Sequence, residues 1–146
     1  MMQSETDRIL LIDDDIDFGN TLAARLKRRG LEVSVAHSGP EGIDMALETE
    51  FHVVILDLAM PEMDGIDTLK ELQKRCPGIQ VMLLTGQATI QAAVEATRLG
   101  AVDVLEKPTD AETLMEKIHA ARAKHIATAD SRTEDDIEGL LRKHGW

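Results

Sequence analysis

The stretch VVILDLAMPEMDG, residues 53–65, joins four apolar residues to one carboxylate and then to a loop with proline and glycine. The residues from Val53 to Leu56 do not alternate with polar ones, which predicts a strand buried on both faces. Two interpretations follow for Asp57 at the end of that strand. Either it closes a turn, or it is held at the edge of a sheet because a reaction or a ligand needs it there.

The length and composition predict one globular domain with a substantial core. The chain has 146 residues, of which 43% are hydrophobic and 29% are charged, as is ordinary for a soluble protein. No apolar run approaches the roughly 20 residues that cross a bilayer, so no membrane contact is predicted. The first residues, MMQSETDR, lack the basic and apolar segments of a secretory signal.

The net charge and the cysteine content limit which partners and which cellular compartment are expected. The formal net charge is −11, which argues against a nucleic-acid-binding surface because phosphate contacts need clustered lysine and arginine. Cys76 is the only cysteine, so an intramolecular disulfide is excluded and a reducing cytoplasm is the expected location.

Strand and helix patterns alternate five times along the chain. The strand-like runs are RILLID (8–13), LEVSVA (31–36), VVILD (53–57), IQVMLLT (79–85) and VDVLE (102–106). Helix-like runs with apolar residues three or four positions apart follow each of them. Five such units with short connections predict a parallel sheet covered by helices on both faces, that is, a doubly wound α/β fold.

Helix boundaries and buried faces are also predicted. Capping residues satisfy the free backbone groups at helix ends, so their positions mark where helices begin and stop. The predicted capping residues are Asp15, Ser38 with Glu41, Asp64, Thr109 with Glu112, and Gly30 at the end of the first helix. The residues predicted to face the core are Phe18, Leu22 and Leu26 in the first helix, Ile66, Leu69 and Leu72 in the third, Ile90, Ala93, Val94 and Thr97 in the fourth, and Leu114, Ile118 and Ala121 in the fifth.

Chemically useful side chains stand at the carboxyl ends of four of the five strands, where open parallel sheets bind their ligands. They are Asp13 and Asp14 after the first strand, Asp57 at the end of the third, Thr85 at the end of the fourth and Lys107 after the fifth. Each has a plain structural interpretation when taken alone: a solvated helix start, a turn residue, a helix cap or a surface lysine. Their joint occurrence at one edge favours a binding or catalytic site.

The acidic cluster of Asp13, Asp14 and Asp57 predicts a metal site. Carboxylates packed together repel one another unless they are protonated or neutralised. Mg²⁺ neutralises them well because it takes oxygen ligands from one or two carboxylates, from water and from phosphate. An aspartate beside such a metal can attack phosphorus and form an aspartyl phosphate. The Lys107 ammonium and the Thr85 hydroxyl would then face the charged oxygens of the transferring group.

Five segments of the chain resemble the receiver domain of bacterial two-component response regulators, the chemotaxis-protein-like fold. The matching segments are ILLIDDD (9–15), ILDLAMPEMDG (55–65), LLTG (83–86), LGA (99–101) and EKP (106–108). The resemblance implies a flavodoxin-like sheet with strand order 2-1-3-4-5 and five flanking helices. It also implies a receiver domain over residues 1–124. Beyond it, a shift in composition after about residue 124 predicts a linker and a short amphipathic tail over residues 125–146.

The resemblance further implies a role for each site residue. Asp57 would accept a phosphoryl group from a histidine kinase or a histidine phosphotransfer protein, and phosphorylation would switch the binding of a downstream partner. Lys107 and Thr85 would contact the phosphoryl oxygens. The implied Mg²⁺ ligands are Asp14, Asp57 and the backbone carbonyl of Ala59, with Asp13 acting through water. The chain would assist its own phosphorylation and dephosphorylation without being an enzyme for other substrates.

The output surface is predicted less directly. Receivers usually carry an aromatic residue three positions before the lysine, where this chain has Val104, so signalling by rotation of a ring is not expected. The resemblance places the output on the face formed by the fourth helix, the fifth strand and the fifth helix. The polar residues predicted on that face are Gln91, Glu95, Arg98 and Glu116.

Three hypotheses for function follow. The favoured one is a stand-alone receiver that acts by phosphorylation-dependent protein binding, because residues 125–146 are too few for a DNA-binding domain with its own core. The second is a receiver fragment of a longer transcriptional regulator. The third is a phosphohydrolase with an aspartyl-phosphate intermediate, such as a haloacid-dehalogenase-like phosphatase, which needs a second aspartate where Ala59 stands.

Overall fold

The computed structural model describes residues 7–57, 65–86, 90–107 and 109–124, with the backbone alone for residues 90, 92 and 93. The strands are β1 (Arg8–Ile12), β2 (Glu32–Ala36), β3 (Val53–Leu56), β4 (Gln80–Thr85) and β5 (Asp103–Glu106). They form one parallel sheet in the order β2-β1-β3-β4-β5. This order confirms the predicted doubly wound, flavodoxin-like fold.

Helices alternate with the strands along the chain. They are α1 (Ile16–Arg28), α2 (Gly39–Glu48), α3 (Gly65–Arg75) and α4 (Ile90–Arg98), and residues 111–124 form the fifth, α5. The observed ends of the strands lie within one residue of the expected ones. Asp64, the expected cap of α3, lies outside the described residues. No helix in the described ranges is long and apolar enough to cross a membrane.

Two apolar layers, one on each face of the sheet, form the core. Alternate residues of β1 and β3 enter opposite layers, as the two-residue period of a strand requires. The first layer contains Leu10, Ile12, Val54 and Leu56 of these strands, with Ile43 of α2, Leu69 and Leu72 of α3 and Ala96 of α4. The second contains Ile9, Leu11, Val53 and Ile55, with Leu22 and Leu26 of α1 and Leu114, Ile118 and Ala121 of α5. Every residue of β3 is fully buried, as its sequence predicted.

Side-chain caps fix the starts of α1 and α2. Asp15 Oδ1 accepts a hydrogen bond of 3.0 Å from the backbone N–H of Phe18, and Ser38 Oγ accepts one of 3.2 Å from Glu41. Glu41 reaches back to the N–H of His37 at 3.1 Å, one residue before the cap. Both expected N-caps are therefore confirmed, and Gly30 follows the end of α1 with a φ of 92° that suits glycine.

The prediction for α4 is wrong at two of the four residues expected to point inward, Val94 and Thr97. The side chains of the other two, Ile90 and Ala93, lie outside the described part of the chain. Val94 is 53% exposed and Thr97 is also exposed, whereas Ala96 is fully buried against the first core layer. The helix is rich in alanine, whose small side chain gives a weak periodic signal, so the pattern did not define one face. A short side chain at Ala96 lets α4 approach the sheet closely and leaves the larger Val94 on the surface.

The prediction that Thr109 caps α5 is also wrong, by one residue. The side chain of Asp110, rather than that of Thr109, accepts a hydrogen bond of 2.6 Å from the backbone N–H of Thr113. Both residue types cap helices well, and they are adjacent in the sequence, so composition alone did not distinguish them. The buried face of α5, with Leu114, Ile118 and Ala121, is as predicted.

The Asp110 cap should make stability depend on pH in the acid range. The N–H groups of Thr113 and Glu112 hydrogen-bond the carboxylate and hold the pKa of Asp110 below its usual value. A lowered folded-state pKa contributes stability above the unfolded-state pKa and loses it as the pH falls through the folded-state value. We therefore expect the melting temperature of wild type to exceed that of Asp110→Asn at neutral pH, with the difference shrinking below about pH 4. A difference that does not vary between pH 7 and pH 3 would contradict this account.

Candidate functional site

Three aspartates meet at the carboxyl edge of the sheet. Asp13 follows β1 and Asp57 follows β3, and these two strands are neighbours. Backbone hydrogen bonds of 3.0 Å from Asp13 to Ala36 and from Asp57 to Ile12 continue the ladder and fix both residues at the edge. Asp13 is 1% exposed and Asp57 is 7% exposed, whereas Asp14 is open to solvent. Carboxylate oxygens of the three aspartates lie within 4.8 Å of one another.

Lys107 brings a positive charge to the same edge. Its Nζ lies 2.7 Å from Asp13 Oδ2 and 3.6 Å from Asp57 Oδ2. Burial alone would lower the pKa of Lys107, but hydrogen bonds to Asp13 and Asp57 and the charges of both together outweigh it, so that its pKa is raised. The side chain is therefore an ammonium group at neutral pH.

The formal charges show what the cluster can hold. Three carboxylates and one ammonium leave two net negative charges at this edge. All the protein donors are oxygens, which are the ligands that hard divalent cations such as Mg²⁺ or Ca²⁺ prefer. The residues therefore fit a hard divalent cation in both charge and chemistry. Ala59, whose backbone carbonyl was an expected ligand, lies outside the described residues.

Thr85 is fully buried as the last residue of β4, opposite Glu106 in the register with β5. Its backbone carbonyl accepts a hydrogen bond of 2.8 Å from the N–H of Lys107. The ends of β4 and β5 are thus joined at the point where the sequence predicted two phosphoryl-contacting side chains. The structure brings Asp13, Asp14, Asp57 and Lys107 into one cluster and places Thr85 at the same edge.

Phe18 is a neighbour of this cluster that the sequence did not predict. Its ring centroid lies 4.1 Å from Lys107 Nζ, and the ring also packs against the second core layer. The sequence assigned Phe18 only to the buried stripe of α1. The contact joins residues 89 positions apart (18 and 107), so no local pattern could have indicated it.

The opposite edge of the sheet carries a cavity without comparable chemistry. It measures about 360 Å³, lies between the ends of α2 and α3 and includes Phe51, Cys76 and Ile79 in its lining. Burial raises the pKa of the Cys76 thiol, although Arg75 opposes this, so the sulfur is a protonated and weak nucleophile. The aspartate cluster has the stronger chemical basis for a functional site.

The expected output face is exposed where it is described. Gln91, Glu95, Arg98 and Glu116 all lie on the surface, and Val94 adds an apolar patch among them. Lys117 of α5 pairs with Asp103 of β5 at 3.2 Å, so that one ion pair joins two of the three elements. Val104 of β5 is half-buried against the first core layer.

Comparison with known proteins gives consistent results. The family model of the response regulator receiver domain matches residues 9–119. The transcriptional regulatory protein ZraR of Escherichia coli (strain K12) is 39% identical over 125 residues, which are 86% of this chain and 28% of that protein. The cell cycle transcriptional regulator CtrA of Caulobacter vibrioides (strain NA1000 / CB15N) is 33% identical over 138 residues, which are 93% of this chain and 60% of that protein. The chain spans less than two thirds of the length of either regulator.

A solved structure agrees with the sequence comparisons. The response regulator receiver domain protein (CheY-like) from Methanospirillum hungatei JF-1 superimposes with a TM-score of 0.81 at 27% identity, covering 85% of this chain and 99% of that one. The matched residues 9–119 include β1 from its second residue, all of β2 to β5 and the aspartate–lysine cluster. From its sequence and its fold, the chain belongs to the response regulator receiver domain family.

Proposed function

We propose that Asp57 accepts a phosphoryl group from a phosphohistidine of a histidine kinase or a histidine phosphotransfer protein. The observation that carries this proposal is the position of Asp57, a buried carboxylate at the carboxyl end of β3, 3.6 Å from the Lys107 ammonium. The carboxylate oxygen attacks phosphorus, the bond from phosphorus to the donor nitrogen breaks, and an aspartyl phosphate forms on this chain.

The surrounding residues support that reaction by charge. Lys107 neutralises the phosphoryl oxygens once they arrive, and the hydroxyl of Thr85 is the proposed second donor at the same edge. Asp13, Asp14 and Asp57, with the backbone carbonyl of Ala59, would hold Mg²⁺. When bound, Mg²⁺ supplies positive charge that stabilises the transferring phosphoryl group. The protein thereby assists its own phosphorylation and dephosphorylation, and we do not propose another substrate for it.

The signalling role depends on what the phosphorylated domain contacts. We propose that the α4–β5–α5 face, with Gln91, Glu95, Arg98 and Glu116 among its polar residues, binds a downstream protein in the cytoplasm. Residues 1–124 would act as the receiver and residues 125–146 as a linker and tail. The regulators ZraR and CtrA are longer than this chain, so a receiver within a longer transcriptional regulator is the second candidate.

The test of the proposed function is phosphorylation by a small donor. Purified protein is incubated with acetyl phosphate and Mg²⁺ and followed by intact-mass spectrometry. We expect one phosphoryl group per chain, and hydroxylamine should remove it because an acyl phosphate is labile to that reagent whereas a phosphoester is not. Absence of labelling by acetyl phosphate and by several histidine kinases would refute the proposal. Continuous release of phosphate from a general phosphatase substrate would instead indicate the phosphohydrolase hypothesis.

Mg²⁺ should stabilise the folded domain through the same cluster. A cation that binds the native aspartates and not the unfolded chain shifts the equilibrium by mass action. At about tenfold excess over its dissociation constant, we expect the melting temperature to rise by about 3–6 °C. Asp14→Ala should abolish this rise and leave the metal-free melting temperature unchanged or higher, because it removes a repelling charge.

The matched control for the metal prediction is Asp44→Ala, which deletes an exposed aspartate on α2 away from the cluster. It should retain the full response to Mg²⁺. A melting curve of wild type that millimolar Mg²⁺ leaves unmoved, or an equal loss of response in both variants, would rule out the aspartate cluster as the metal site.

A further inference from the structure

Four contacts link Asp13, Asp15, Phe18 and Lys107 in a closed ring. Asp13 Oδ1 accepts a hydrogen bond of 2.9 Å from the N–H of Asp15, and Asp15 Oδ1 accepts one of 3.0 Å from the N–H of Phe18. The Phe18 ring lies 4.1 Å from Lys107 Nζ, which returns to Asp13 Oδ2 at 2.7 Å. The ring of contacts joins the start of α1 to the end of β5.

From this arrangement we propose that Phe18 is a positioning residue, which holds the Lys107 ammonium over the Asp13–Asp57 pair for phosphoryl transfer. The proposal rests on the proposed function of Asp57 and adds a residue to it. Lysine has a long flexible side chain, and its ammonium group has no directional preference that would fix it between two carboxylates. An aromatic face attracts the cation and covers part of it from water, which favours the position seen here.

The backbone of Phe18 is itself fixed, which is what makes the ring suitable for this role. Phe18 is the third residue of α1, and its N–H is held by the Asp15 cap. The ring packs against the second core layer, so it has neighbours other than Lys107 to restrict it. Only 17% of the Lys107 side chain is exposed, so water competes weakly with the ring for the ammonium group.

The first experiment compares the kinetics of phosphorylation in three α1 variants. Rates are measured over a range of acetyl phosphate concentrations with Mg²⁺ present. We expect Phe18→Leu, which keeps an apolar side chain without a π face, to lower the ratio of limiting rate to half-saturating concentration about threefold to tenfold. Phe18→Tyr, which keeps the π face, should remain within about twofold of wild type. Leu22→Ala, which removes a buried side chain of the second core layer one turn later in the same helix, should lower the melting temperature but not this ratio.

The second experiment observes Lys107 directly and needs no phosphorylation. In the NMR spectrum of the metal-free protein, the Phe18 ring should move the chemical shifts of the Lys107 Cε protons away from those of exposed lysines. These signals are assigned by their loss in Lys107→Arg. The shift should persist in Phe18→Tyr and vanish in Phe18→Leu.

The outcomes separate this inference from the proposed function. If wild type is not phosphorylated, the proposed function is refuted. The NMR shift still tests the contact between the Phe18 ring and the Lys107 ammonium in that case. The inference is overturned if Phe18→Leu reacts at the wild-type rate, if Phe18→Tyr is as slow as Phe18→Leu, or if Leu22→Ala slows the reaction equally. It is also overturned if the Lys107 protons show no shift that depends on the ring.

Discussion

Asp57→Asn should abolish phosphorylation by acetyl phosphate, because an uncharged amide is no nucleophile towards phosphorus. The variant keeps the size and shape of the side chain, so the position next to Asp13 and Lys107 should be conserved. It also removes one of three clustered negative charges, so its melting temperature without metal should equal or exceed that of wild type. We expect no phosphorylated species in the intact mass under conditions that label wild type completely.

The control for this prediction is Asp44→Asn, the same chemical change at an exposed position on α2. It should be labelled like wild type. Equal labelling of Asp57→Asn and wild type would show that another residue is the acceptor and would remove the basis of the proposed function. Peptide mapping of the labelled wild type provides an independent check, because the modified peptide should contain residues 53–65.

Gly42→Ala should lower the stability of the protein substantially, although alanine favours helix over glycine by about 1 kcal/mol. A Cβ atom at Gly42 would lie 2.7 Å from Cγ1 of Ile12 and closer still to Cδ1 of that residue. Ile12 is fully buried in β1 and cannot turn away without displacing its neighbours. Overpacking of this kind typically costs about 1–3 kcal/mol.

Gly19→Ala is a closely matched control for Gly42→Ala. Each glycine is the fourth residue of its helix, and each donates its N–H to the carbonyl of the N-cap, Asp15 or Ser38, at 2.9 Å and 3.0 Å respectively. A Cβ atom at Gly19 would lie 3.5 Å from Cγ1 of Val35 and 4.0 Å from Cβ of Asp13, which are ordinary van der Waals contacts. We therefore expect Gly19→Ala to be neutral or stabilising by up to about 1 kcal/mol.

The measurement is chemical denaturation of both alanine variants, and of Gly42→Ala combined with Ile12→Val. The valine removes Cδ1 of Ile12, so the double variant should lose less than the sum of the two single changes. If Gly42→Ala proves as stable as Gly19→Ala, the close approach of α2 to β1 is not a constraint on this fold.

The features that could be predicted from the sequence are those for which a single segment has a recognisable residue pattern. The apolar run from Val53 to Leu56 indicated a central strand without reference to any neighbour, and the rule for parallel sheets then placed Asp57 at a ligand-binding edge. The same rule brought Asp13 and Lys107 to that edge. The burial of β3 and the position of the charged residues at one edge therefore followed from local patterns and a topological regularity, whereas the strand order 2-1-3-4-5 came from the resemblance to receiver domains.

The features that could not be predicted depend on contacts between distant segments or on a choice between similar neighbours. The Phe18–Lys107 contact depends on how the Lys107 side chain reaches from the end of β5 to the start of α1, which no local pattern specifies. The cap of α5 required a choice between Thr109 and Asp110, and only the observed start of the helix decides it. Val94 was placed inward with residues 90, 93 and 97 at helical spacing, whereas in the structure the smaller Ala96 is the buried residue of α4.

The three consecutive aspartates at residues 13–15 have three different environments in the structure. Asp13 is buried beside Lys107, Asp14 is exposed, and Asp15 caps α1. Deleting any one of them gives the same shortened sequence, so an alignment cannot say which one was lost. With one residue fewer between β1 and α1, every side chain of α1 would shift by one position along the helix, which is a rotation of about 100° about its axis. A frame-preserving deletion in this run would thus leave two aspartates for three positions and turn the Phe18 ring away from the lysine.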